Sequence, residues 1–249
     1  MHRFLRASSF AFALLALGAS EAPAQAPIIP CPGGATETVL NPLFSALDDG
    51  TYEVSLAPVF TAAAPFRIAG TSFTTMFVNT NGNVTFGVGF TTFTPSAVPG
   101  LSQPTIAPFF ADVDLRDGPT PNPGTVRYCV DAAGNRVMVT WLDTVHYNST
   151  SLTTDFSRRN TFQMILTPAT VCGTAGAIVE FREQALVWYV GTASGGLPDG
   201  TCAAGTEGVT CFPAVAGVDY GDTVTAVQLP GSLTSAVNPS LLTMTNAGT

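Results

Sequence analysis

The chain has 249 residues, with 9 basic side chains, 17 acidic ones and a formal net charge of −8. Every basic residue is an arginine. Without lysine there is no Walker-type phosphate loop and no Schiff-base catalysis, and the acidic field repels polyanions, which excludes nucleic acid as a partner. Only 10% of residues are charged, while Thr, Val, Phe, Gly and Pro abound. This is the composition of short strands joined by turns.

Arg3 and Arg6 precede an apolar run, Phe10 to Ala19, and the small-residue site Ala22-Pro23-Ala24. This pattern predicts a secretory signal peptide over residues 1–24. The run is about half the length that spans a bilayer, so no membrane anchor is expected. Removing the signal leaves 7 basic and 16 acidic residues, a net charge of −9. Residues 25–40 read as an N-terminal leader without regular structure, and 41–249 as a single domain.

The first strong element is Phe73 to Val88. Asn81-Gly82 between two β-prone runs predicts a hairpin with a two-residue turn, pairing Asn79 with Val84 and Phe77 with Phe86. Phe77, Val84 and Phe86 are then expected to face inward together. Residues 91–105 and 117–124 read as loops. A second hairpin is expected from Val126 to Tyr147 around Ala133-Gly134-Asn135, with Val137, Val139, Trp141, Val145 and Tyr147 on the buried face. Phe162, Met164 and Leu166 continue that pattern. Val179 and Phe181 alternate with Glu180 and Arg182, and Val187-Trp188-Tyr189 follows. Residues 191–213 form a Gly-rich loop, and Ala214–Tyr220 and Val224–Leu229 supply the last strands. The expected fold is all-β, an antiparallel β-sandwich with long Gly/Pro-rich loops.

Five cysteines in an exported chain predict disulfides. Cys202–Cys211 closes a short loop. Cys129 and Cys172 sit at strand edges and form the second expected pair, which leaves Cys31 unpaired; a Cys31–Cys129 bridge would overturn that assignment.

Six segments in order resemble the nidogen-like (NIDO) domain family. They are Leu47-Asp48-Asp49-Gly50; Phe77 to Gly87 (FVNTNGNVTFG); Ile106 to Asp114 (IAPFFADVD); Val139-Thr140-Trp141 through Tyr147; Asn160 to Thr167 (NTFQMILT); and Ala216-Gly217-Val218 with Gly221-Asp222, closed by Leu229 to Ser232. The resemblance covers about residues 43 to 245. It implies an extracellular, matrix- or surface-associated module, with cell–matrix adhesion as its family-level role and no established active site. The Cys-bearing insertion after Trp188 departs from the pattern.

The inventory of reactive groups points the same way. His146 is the one histidine after the signal, and it is expected as a surface or loosely packed strand residue; zinc sites built on two histidines are excluded within one chain. No G-x-S-x-G elbow occurs. Asp112, Asp114 and Asp117 lie within six residues and offer hard oxygens to calcium; the competing reading has Asp112 and Asp114 accepting backbone N–H bonds in a turn. Beyond calcium no cofactor is expected. Glu180 with Glu183, or Asp112 with Asp114, reads as solvated surface charge rather than a glycosidase pair. The function expected is therefore a secreted, non-enzymatic interaction module whose partner is an extracellular protein or glycan surface, with self-association as a further possibility. The alternative is a carbohydrate-binding or carbohydrate-active sandwich, with Trp188 as a free stacking platform.

Overall fold

The computed structural model describes residues 27–98, 100–116, 124–149, 158–171 and 174–243. Two antiparallel sheets pack face to face. One has the strand order β1 (Thr36–Val39), β9 (Thr125–Asp131), β10 (Arg136–His146), β11 (Asn160–Val171), β12 (Thr174–Ala185), and a two-residue strand β8 (Val113–Asp114) pairs with the end of β10. The other runs β14 (Ala226–Gln228), β13 (Val215–Tyr220), β7 (Pro104–Phe110), β6 (Asn83–Thr85), β5 (Thr75–Asn79), β2 (Thr51–Ser55). A small hairpin, β3 (Phe66–Ile68) with β4 (Thr71–Phe73), two single-turn 3-10 helices (Asn41–Leu43 and Thr192–Ser194) and a short α-helix, α1 (Val237–Thr243), complete the described elements. The expected all-β antiparallel sandwich is what forms.

Alternation decides the core. Val137, Val139 and Trp141 of β10 and Phe162, Met164 and Leu166 of β11 are buried against Val84, Phe86, Ile106 and Phe109 of the opposite sheet. Trp141 stacks on Phe162 at 5.2 Å, and Phe162 meets Phe109 at the same separation. The Trp141 indole N–H donates to the carbonyls of Asn79 and Thr80, so its polar edge is satisfied inside the core.

The first hairpin differs from expectation by one residue. Asn79 pairs with Asn83, Val78 with Val84 and Phe77 with Thr85, so the loop is Thr80-Asn81-Gly82. Only Gly82 adopts positive φ, at 75°, as in three-residue loops that end on a left-handed residue. A one-residue shift exchanges the faces of a strand. Met76, Val78, Val84 and Phe86 therefore fill the core, and Phe77 moves to the other face with Asn79, Asn83 and Thr85.

Past Trp141, β10 carries a bulge: Trp141 pairs with Phe162 but Thr144 with Asn160, and Asp143 takes positive φ. The extra residue reverses the alternation. His146 is consequently fully buried, its ring 5.6 Å from that of Trp188 and its Nε2 3.0 Å from the Pro198 carbonyl, which corrects the expected surface position. Trp188 is also fully buried, with its N–H donating to the Thr144 carbonyl. No stacking platform exists at that residue.

The leader is ordered where it was expected to be irregular. Thr36–Val39 adds an edge strand to β9, and Ile29, Cys31 and Ala35 cover Cys129, Met138 and Ile165 on the outer face of that sheet. Gln163 fastens the cover by donating to the Ile29 carbonyl and accepting from its N–H. Cys31 is bonded to Cys129 and Cys202 to Cys211. The expected Cys129–Cys172 pair is therefore wrong; Cys172 itself lies outside the described residues. The physical reason is the outer face: Met138 and Ile165 need an apolar cover, and the chain that supplies it brings Cys31 to Cys129.

Candidate functional site

The chain leaves β7 in one sheet and enters β8 in the other across Ala111-Asp112. Asn81, at the tip of the first hairpin, holds this crossover. Its carbonyl accepts from Ala111 N–H, its Oδ1 accepts from Val113 N–H, and its Nδ2 donates to Asp49 Oδ1 and to the Thr92 carbonyl. The Gly82 carbonyl accepts from Phe109 N–H, and a Cβ at Gly82 would lie 1.9 Å from the Phe109 carbonyl oxygen. Thr80 exchanges hydrogen bonds with Gly50. Three segments distant in sequence, 47–50, 80–82 and 109–114, are thus stitched to one point.

Carboxylates converge there. Asp48, Asp49 and Asp112 each offer an oxygen within 4.8 Å of the others. Asp112 is 1% exposed, accepts a backbone bond from Ala193, and keeps Oδ2 without a hydrogen-bond partner. Gly191 covers it so closely that a Cβ there would meet Oδ2 at 2.3 Å. Burial, then the like charges of Asp48, Asp49 and Asp114, push the Asp112 carboxyl up to about 8. Burial also raises Asp48 to about 6, helped by Asp114 and Asp49 and opposed by Arg116. Asp49 is raised by burial against the hydrogen bond from Asn81.

Asp114 does something else. Arg116 forms a two-pronged bond to it, at 2.9 and 2.8 Å, and reaches Asp48 at 3.2 Å. Asp114 Oδ1 also accepts the Arg116 N–H, the turn role weighed against calcium. The expected trio is therefore divided: Asp112 joins Asp48 and Asp49, Asp114 is engaged by arginine, and Asp117 lies outside the described residues. Asp48 and Asp49 lie more than sixty residues upstream, so spacing in the sequence does not connect them to Asp112. The available signal is the Asp48-Asp49-Gly50 triplet of the nidogen-like pattern.

Above the cluster sit two loops, 87–103 and 191–213. Thr92 and Phe93 of the first adjoin Asn81 and Ser194, whose hydroxyl donates to the Phe93 carbonyl. Asp219 anchors the first loop by accepting from Gly100 and Leu101 N–H, and Cys202–Cys211 closes the second. Between them lies a cleft of about 440 Å³ lined by Thr94, Pro95 and Ala97 on one side and Phe212 and Pro213 on the other. Leu197 and Val209 are exposed on the second loop.

The domain is a disulfide-bonded, two-sheet sandwich whose loops are anchored at one crossover. The nidogen-like domain family matches residues 74–249, and the chain belongs to it. It is similar to alpha-tectorin of Mus musculus, 33% identical over 173 residues, and of Homo sapiens, 32% identical over 173 residues. Each match covers 61% of this chain and 7% of the relative. No solved structure matches it significantly. Among the described residues no helix is long and apolar enough to cross a membrane.

Proposed function

We propose that this protein is a secreted, non-enzymatic interaction module. It is exported by its signal peptide (residues 1–24), acts extracellularly through the domain 41–249, and adheres to matrix or cell-surface protein. The observation that carries this reading is the loop face. Two long loops are fixed to a rigid sandwich and to each other, present exposed Leu197 and Val209, and flank an apolar cleft. Scaffolded loops of this kind are where contact surface resides. The non-enzymatic part rests on the walling-in of His146 beneath Gly200 and Trp188, and on the missing lysine. Nothing specific favours carbohydrate stacking, since both tryptophans are fully buried.

Binding of the purified protein to immobilised matrix and cell-envelope fractions tests the proposal. Capture of a defined protein is expected, with Leu197→Asp and Val209→Asp together weakening it tenfold or more at an unchanged melting temperature. A folded sample that binds no fraction, or binds equally well with both substitutions, refutes the assignment.

A further inference from the structure

We propose that Asp48, Asp49 and Asp112 form a calcium site at the crossover between the two sheets. The inference goes beyond the adhesive reading and stands independently of it. An acidic cluster alone says little, because like charges also gather on solvated surfaces. Here the central carboxylate is 1% exposed and its Oδ2 has no donor. Asp48 Oδ1 is likewise buried without a donor. Two lone-pair-bearing oxygens are thus turned inward with nothing positive against them, an arrangement that costs free energy unless something fills it.

The positive groups nearby do not fill it. Arg116 is spent on Asp114 and touches only the far oxygen of Asp48, at 3.2 Å. Asn81 Nδ2 addresses Asp49 alone within the cluster, and Ala193 N–H supplies Asp112 with a single neutral donor. Three carboxylates therefore retain most of their repulsion.

Ligand chemistry selects the ion. The three oxygens lie within 4.8 Å of one another, close enough to share one calcium, which binds oxygens at about 2.4 Å in flexible geometry. Magnesium demands near-ideal octahedral geometry, holds its waters more firmly and is seldom held by an all-protein carboxylate cage. A carboxylate-only set of hard oxygens also disfavours zinc and copper. Bound calcium would tie residues 48–49 to the β7–β8 crossover and, through Ala193 and Asn81, to both loops of the contact face.

The test is a calcium titration of the full chain after chelator treatment, read by calorimetry and by thermal melting at pH 7.4 and 8.5. One ion per chain is expected, with a dissociation constant in the range of extracellular modules, about 0.1–1 mM. The melting temperature should rise by about 2–8 °C at 5 mM calcium. Asp112→Asn should abolish the heat and the shift. Without calcium it should melt no lower than wild type at pH 8.5, where it removes a buried charge. Asp49→Asn keeps a residue tolerant of the positive φ at that position; it should weaken binding tenfold or more, and it decides the matter if Asp112→Asn does not fold. An unmoved wild-type melt at both pH values, equal affinity for magnesium, or unchanged affinity in Asp49→Asn overturns the site.

Discussion

Glu183 illustrates how a single side chain sets a pH response. It faces inward from β12 at 8% exposure, and its Oε1 has no hydrogen-bond partner. Burial pushes its carboxyl from the usual 4.5 up to about 8. A carboxyl raised on folding contributes stability that is fully present below its ordinary value and is lost as pH rises through the folded one. The loss therefore spans about pH 4.5 to 8. Glu183→Gln should match wild type in urea denaturation at pH 4.5 and exceed it at pH 8.5, by an amount on the order of a few kcal/mol. Asp48 and Asp112 titrate in the same direction, so the difference between variant and wild type isolates Glu183. In the sequence Glu183 reads as surface charge, as acids usually are, yet it shares the parity of Val179 and Phe181 on its strand. The alternation pointed inward, and the residue type hid it.

Elements were more legible than their registers. Period-two alternation located β10 and β11 and their buried faces down to Trp141, since a strand with one buried face must alternate. It failed where a single residue was gained: at the Thr80–Gly82 loop, which turned Phe77 outward, and at the Asp143 bulge, which turned His146 inward. Asn81-Gly82 is compatible with loops of two or three residues, and the choice was made by the hydrogen bonds of Asn81 to the crossover, a tertiary contact. The candidate site was legible in pieces for the same reason: the Asp-Asp-Gly and Ala-Asp-Val-Asp segments were visible, but their meeting was not. The strap formed by residues 27–35 is a further tertiary product. Cys31–Cys129 closes a loop of 98 residues, for which the loss of unfolded-chain entropy is about 4–5 kcal/mol. Cys31→Ser should lower stability in denaturant by about 2–5 kcal/mol, while Cys202→Ser, opening a loop of 9 residues, should cost less.

At the scale of the whole molecule, the two sheets differ in how they are closed. One has its outer face covered by the strap and its edge completed by β1; the other carries its anchored loops and the cleft at the crossover end. The acidic cluster sits between them, where the chain changes sheets. The contacts of Asn81 supply the physical account of why segments 47–50, 80–82 and 109–114 of this nidogen-like domain meet at one point. Asn160, paired with Thr144 beside the stretch of β10 that meets β8, makes the same point, holding Val187 and Trp188 by three hydrogen bonds.

The strap has a mechanical meaning. Antiparallel β1 would peel from β9 one hydrogen bond at a time if tension reached it from the N-terminal side. Tension applied there instead passes at Cys31 through a covalent bond to Cys129, inside the sheet, and leaves residues 31–129 off the load path. Stretching the oxidised protein should therefore hide about 30–35 nm of contour length that appears once the bond is reduced, which single-molecule force spectroscopy with and without a thiol measures directly. A module held between neighbours in a strained matrix would then keep β2 through β8, and the carboxylate cluster among them, unloaded while the rest of the chain bears the pull.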